Sequence, residues 1–121
     1  MEKYQKIQQP VYINNNVYYN GAPHFDREET CVCFDKKAKM QICDEADAVY
    51  LEFYADEEIF ALPTAKVTTD MLPMPRIVQQ RFENPDGSDI VIDKDLTNAE
   101  RSAAPVVGPV ENLAPGMNRV K

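Results

Sequence analysis

The alternation of side chains between Ala48 and Tyr54 constrains the fold of this chain more than any other feature. Apolar side chains occupy every second position, at Val49, Leu51 and Phe53, and aromatic or acidic side chains stand between them. In an extended strand such residues project from one face, whereas on a helix these three could not share a face. The pattern therefore predicts a β-strand whose apolar side faces the core.

Turn-forming residues between short β-forming runs predict three hairpins. The predicted hairpins comprise residues 10–21, residues 30–35 with 39–43, and residues 76–82 with 89–93. In the first, an Asn run separates the two limbs, and Asn20 and Gly21 close a second turn. In the third, Pro85 and Gly87 stand at the second and fourth positions of the turn, as a type I turn favours.

The character of the chain changes after residue 93. Thr97 and Glu100 have capping-box spacing, which predicts a short helix near residues 97–104, ended by the next proline. Residues 105–121 contain three prolines and two glycines, with aliphatic residues scattered among them. Flexible tails are usually poorer in aliphatic residues, so we interpret this segment as an extended arm that lies along another surface. A disordered tail is the alternative.

Together these patterns predict an all-β fold: a small antiparallel β-sandwich with an extended, mostly irregular C-terminal arm. A chain of 121 residues has the length of one domain. We expect an N-terminal strand or hairpin segment that could pair with a partner, a compact β domain and the arm. These span residues 1–29, 30–93 and 94–121. The β domain is expected to stay folded when residues 94–121 are removed.

Charge and hydropathy narrow the possible functions. The net charge is −7, and residues 44–58 contain seven acidic residues and no basic one. An acidic surface repels phosphate backbones, so nucleic-acid binding is disfavoured. No run approaches the roughly 20 apolar residues of a membrane span, and the N-terminus lacks a secretion signal pattern. We therefore expect a protein made in the cytoplasm, without membrane partners.

The single histidine, His24, limits the chemistry available to the chain. His24 with Cys31, Cys33 and Cys43 would supply four zinc ligands by type, but the usual Cys-x₂₋₄-Cys spacing is missing. A Cys–His catalytic dyad would need a setting that lowers the pKa of the thiol, and none is visible. In a reducing compartment the thiols are interpreted as small packing groups. We predict no catalytic residue, no metal and no cofactor.

Acidic side chains leave one further chemical interpretation open. Asp86, Asp89, Asp93 and Asp95 do not have the spacing of a calcium-binding loop. A small hydrolase that uses Asp or Glu residues would require a pocket containing a carboxylate of raised pKa. It stands as a third interpretation beside the two binding functions given below.

Tyrosines near the N-terminus and aliphatic residues in the arm are the predicted partner-binding residues. Tyrosine combines apolar area with a hydroxyl, which suits protein interfaces, although the tyrosines could equally belong to the core. The predicted partner-binding residues are Tyr12, Tyr18, Tyr19, Val106, Val107, Val110, Leu113 and Met117.

The order of strands, prolines and turn from Ala48 to Asp93 resembles the small β-sandwich modules of tailed-bacteriophage virions, such as capsid decoration and baseplate or fibre-attachment proteins. The resemblance implies a non-enzymatic structural subunit of a capsid or tail, repeated in an oligomer with other protein subunits. Such a protein would be assembled in the host cytoplasm and would reside in the virion. The alternative function is a cytoplasmic acidic binding or adaptor module, with an inhibitor that acts through the acidic stretch at 44–58 as one form of it.

Overall fold

The structure, a computed structural model, describes residues 6–121 and has an all-β fold, as predicted. Five strands carry the fold: β1 (Asn16–Tyr18), β2 (Cys31–Cys33), β3 (Met40–Asp44), β4 (Val49–Ala55) and β5 (Gly116–Val120). Two short 3₁₀ helices, Glu57–Ala61 and Thr69–Met71, lie between β4 and β5. The first residues of the predicted N-terminal segment, 1–5, lie outside the described residues.

The main sheet is antiparallel in the order β3-β4-β5, so that β4 is its central strand. Ile42 is paired with Leu51, and Leu51 is paired in turn with Val120. A tight turn joins β3 to β4, with the Glu45 amide donating to the Ala48 carbonyl oxygen over 3.0 Å. The predicted strand is confirmed, and its apolar residues do share one face. The prediction that all of them face the core is wrong for Val49, which is 55% exposed.

The second sheet differs from the predicted hairpin because β1 pairs with β2 in a parallel register. The Asn run makes bonds across to Thr30 instead of folding back on itself. The Asn15 amide donates to the Thr30 carbonyl oxygen over 2.8 Å, and the Thr30 amide donates to Asn14 Oδ1 over 2.9 Å. The turn at Asn20 and Gly21 does form, with positive φ at both residues. The predicted pairing of the 30–35 run with the 39–43 run is also wrong, since β3 pairs with β4.

The third predicted hairpin has its turn but not its strands. The Gly87 amide donates to the Asn84 carbonyl oxygen over 2.8 Å, as a type I turn requires. The buried Thr69 forms hydrogen bonds with backbone groups of both limbs, which would otherwise pair with each other. Its hydroxyl donates to the Phe82 carbonyl oxygen over 2.8 Å and accepts from the Ile90 amide over 2.6 Å. The two limbs are therefore held apart, with one isolated bridge next to the turn.

The predicted short helix near residues 97–104 is wrong, because residues 96–98 form a turn and the segment beyond it is irregular. Asp95, not Thr97, is the acceptor that organises this segment: its Oδ1 accepts from the Thr97 amide over 2.7 Å and the Ala99 amide over 2.9 Å. The predicted arm is largely irregular up to residue 115. Its last part, however, is strand β5, which is hydrogen-bonded to β4.

The core is small for a chain of this length. Among the described residues the buried apolar side chains are Ala55, Ile59 and Val110, and no large side chain is fully buried. The accessible surface is 8965 Å², whereas a compact chain of 13.8 kDa would expose about 6,600 Å². Much apolar surface therefore stays open to solvent.

Candidate functional site

An apolar groove lies over one face of the main sheet. Leu51 and Phe53 of β4 line it together with Val17 and Tyr19 from the N-terminal segment and with residues of the C-terminal segment. The C-terminal residues include Val110 and Leu113. Its volume is about 420 Å³, which is within the range of ligand pockets. The groove is open and mostly apolar, so it suits an apolar surface better than a small polar ligand.

The apolar face continues beyond the groove to the sheet edge. The antiparallel register places Met40 and Ile42 of β3 on the same side of the sheet as Leu51 and Phe53. Met40 is 59% exposed and Ile42 is 75% exposed. We call this surface the apolar sheet face and define it by Met40, Ile42, Val49, Leu51, Phe53 and Val120. An uncovered apolar patch next to an unpaired strand edge is a feature of interaction surfaces.

The opposite face of the sheet carries a cluster of polar side chains that pair with one another. The Arg119 guanidinium stacks 4.0 Å from the centre of the Tyr50 ring. The same guanidinium lies 2.5 Å from a Glu45 carboxylate oxygen and 3.4 Å from one of Glu52, and the pKa of Arg119 is raised, chiefly by its hydrogen bond with Glu45. Gln41 also donates to Glu52 over 2.8 Å. These side chains satisfy one another, so this face suits solvent.

A polar cluster around the buried Asp56 supports the Tyr19 wall of the groove. The Tyr19 hydroxyl donates to Asp56 Oδ2 over 2.8 Å, and its ring stacks on Phe34 at 4.9 Å between centres. Lys36 forms an ion pair with the other Asp56 oxygen. Burial, followed by the bond to Asp56, raises the pKa of Tyr19 to about 12, and Lys36 lowers the pKa of Asp56. The tyrosine therefore stays a neutral donor over the physiological pH range.

The structure brings four of the predicted partner-binding residues together and disperses the others. Tyr19, Val107, Val110 and Leu113 line the groove, although Val110 is buried. Tyr12 and Val106 line a separate cleft of about 210 Å³ that Val107 also reaches. Tyr18 donates to Glu28, and Met117, 64% exposed, lies on the opposite face of the sheet.

Sequence reasoning missed Met40 and Ile42 as interaction residues. The run 39–43 was interpreted as one limb of a hairpin, and alternation places Met40 and Ile42 on one face of it. No local signal would have marked this face as open, because the residues that cover a strand come from elsewhere in the chain.

The four zinc ligands by type that the sequence analysis considered do not come together as a set. Cys43 is in β3 of the main sheet, whereas Cys31 and Cys33 are in β2 of the small sheet. All three cysteines are free. His24 and Cys31 do come together, but the third potential ligand near them is Glu28, a residue the sequence did not single out.

Among residues 6–121, every carboxyl group with a shifted pKa has it lowered. Hydrogen bonds or ion pairs lower the pKa of Glu28, Asp56, Asp86, Asp95, Glu100 and Glu111. A lowered pKa keeps a carboxyl ionised and makes it a poor general acid near neutral pH. None of these groups therefore has the raised pKa that the hydrolase interpretation requires.

Comparison with known proteins gives one informative match. The chain is similar to the solved structure of XylC in complex with xylose, with 34% sequence identity and a TM-score of 0.86. The match covers 99% of this chain and 19% of the XylC chain, so the chain spans about a fifth of that structure. No protein-family model and no curated protein sequence matches. Within residues 6–121, no helix has the length and apolar character to cross a membrane.

Proposed function

We propose that this chain is a non-catalytic β module that packs, through its apolar sheet face, against another domain of a longer polypeptide. The observation that carries the proposal is the exposure of Met40 and Ile42 beside Leu51 and Phe53 on the same face of the sheet. Burying such a face contributes roughly 25 cal/mol per Å² of apolar surface, so a covering domain would stabilise the module substantially.

The similarity to XylC supports the choice of occupant. In XylC, the region that is 34% identical to this chain makes up about a fifth of the protein. The rest of XylC is therefore available to contact that region. We propose an adjoining domain with an apolar patch as the covering surface. XylC was solved with xylose, and we propose that the adjoining domain handles xylose or a saccharide that contains it.

The pairing of the acidic side chains favours a structural role for this chain over a catalytic one. On the polar face of the sheet, the acidic side chains of Glu45 and Glu52 are occupied by Arg119. Next to the groove wall, Asp56 accepts a hydrogen bond from Tyr19 and forms an ion pair with Lys36. These carboxylates hold the module together and are not free to transfer protons to a substrate.

The predicted virion subunit stays a prediction. Both hypotheses describe a non-enzymatic protein that docks on other protein surfaces. They differ in the partner. A virion subunit should form a defined high-copy oligomer by itself or with capsid or tail proteins. A module of a longer polypeptide should instead be a monomer once its apolar sheet face is covered within the same chain.

The test is a chimera in which this chain replaces the matching fifth of XylC. Met40→Lys would place an unpaired charge in the covered face and should lower the free energy of unfolding by about 1–3 kcal/mol. Calorimetric melting of the chimera measures the change, and xylose binding reports whether the remainder stays intact.

Met117→Lys is the matched control, since Met117 has similar exposure but lies on the opposite face. It should leave the melting transition unchanged. Equal effects of the two substitutions would contradict the assignment of the docking face. A high-copy oligomer of the isolated chain would favour the virion subunit.

A further inference from the structure

We propose that His24, Glu28 and Cys31 form a binding site for a divalent cation of the zinc class, at the place where the loop before β2 meets the small parallel sheet. The site is independent of the apolar sheet face and of the proposed partner domain. Its function would be structural, because a bound ion would tie this loop to β2.

The geometry brings one ligand atom from each residue into a single locus. A ring nitrogen of His24, a carboxylate oxygen of Glu28 and the sulfur of Cys31 all lie within 4.8 Å of one another. Zinc binds nitrogen and oxygen at about 2.0–2.2 Å and sulfur at about 2.3 Å. Tetrahedral ligands are then separated by roughly 3.3–3.8 Å, so small side-chain rotations would complete the shell.

The supporting hydrogen bonds orient two of the ligands. His24 Nδ1 is 2.7 Å from the carbonyl oxygen of Phe25, so a proton on Nδ1 leaves Nε2 free to bind a metal. Glu28 accepts from the amide and the side chain of Asn16 over 3.0 and 2.8 Å and from the Tyr18 hydroxyl over 2.7 Å. Backbone or side-chain partners of this kind fix ligands in known metal sites.

The charges at this locus favour a cation. Glu28 is 7% exposed, and within the described part of the chain no basic group forms an ion pair with it. The neighbouring Arg27 guanidinium instead lies 5.1 Å from the centre of the Phe25 ring. A divalent ion would compensate the buried carboxylate.

The ligand types select among metals. One imidazole, one carboxylate and one thiol suit zinc, whereas calcium and magnesium prefer oxygen ligands alone. Cys33 lies two residues from Cys31 in β2, on the same side of the strand, and is exposed. It would provide the fourth ligand in place of water.

The experiment is calorimetric titration of the reduced full chain with Zn²⁺, paired with absorption spectra of the Co²⁺-loaded chain. We expect one ion per chain, a sulfur-to-cobalt charge-transfer band, and a rise in melting temperature on adding Zn²⁺. Cys31→Ser should abolish the band, and His24→Gln should weaken Zn²⁺ binding by at least tenfold.

Cys43→Ser is the matched control, because it removes a thiol in the main sheet and should leave both signals unchanged. His24 is exposed, so His24→Gln tests the site even if Cys31→Ser fails to fold. The proposal is overturned if the wild-type chain binds no Zn²⁺ at micromolar concentration. It is also overturned if His24→Gln binds as well as wild type, which would indicate adventitious binding to surface acids.

Discussion

Asp95 shows how one residue can organise an irregular segment. It is 8% exposed and uses both carboxylate oxygens. Oδ1 accepts from Thr97 and Ala99, and Oδ2 accepts from the Glu111 amide over 2.7 Å. These bonds connect the turn at 96–98 with the chain that leads to β5. The Glu111 amide contributes most to a pKa of about 2 for Asp95.

The lowered pKa of Asp95 predicts acid sensitivity. The unfolded carboxyl has a pKa of about 3.9, so its contribution to stability is complete above that pH. It is lost as the pH falls towards the folded value of about 2. We expect Asp95→Asn to lower the denaturation midpoint at pH 7 and to flatten the loss of stability between about pH 4 and pH 2.

Asp44→Asn is the control for this experiment, since Asp44 is exposed and also aspartate. Chemical denaturation at several pH values measures both variants. A wild-type acid profile in Asp95→Asn would show that other carboxyl groups, such as Glu111, dominate the acid response.

At the scale of elements, β5 makes the end of the C-terminal segment a strand of the main sheet. The strand pairs with β4 along residues Gly116 to Val120 and provides one edge of the main sheet. It also carries Arg119, which joins β5 to Glu52 of β4 and to Glu45 in the turn before it. The segment from 94 to 115 therefore acts as a connection that returns the chain to the sheet.

Removal of β5 should unfold the module. A chain that ends at Pro115 would leave only the β3-β4 hairpin in the main sheet, and two-stranded hairpins are marginal in water. We expect loss of cooperative thermal melting, followed by circular dichroism. A chain that ends at Val120 lacks only an exposed lysine and should melt as the full chain does. Cooperative melting of both truncations would show that the fold does not require β5.

At the scale of the whole molecule, the small core and the open apolar surface belong together. The described residues bury three apolar side chains, and large apolar residues such as Ile42 stay exposed. The proposed covering domain would stabilise the folded chain by burying this apolar surface.

Exposed apolar surface predicts self-association of the isolated chain. Sedimentation velocity should show an average mass that rises with concentration, because two copies can bury their apolar sheet faces against each other. Ile42→Lys should reduce this association by adding a charge to the face. Met117→Lys adds the same charge on the opposite face and should have little effect. A strictly monomeric wild-type chain would count against an open docking face.

The sequence by itself determined the features that depend on neighbours along the chain. These are the β class, the strand of β4 with its shared apolar face, and the turns at Asn20–Gly21 and Asn84–Gly87. Side-chain alternation and turn geometry are local properties, so a single segment contains the information that specifies them.

Only the tertiary structure decided which segments pair and which surfaces stay open. The parallel β1-β2 pairing depends on Thr30 meeting the Asn run from fifteen residues away. The position of β5 depends on the return of the C-terminal segment to pair with β4. The grouping of Glu28 with His24 and Cys31 depends on the folding of the loop before β2. Such contacts join residues that are distant in sequence, and several pairings satisfy the same local pattern. Packing selects one of them, and it also leaves Met40 and Ile42 exposed, which alternation alone does not specify.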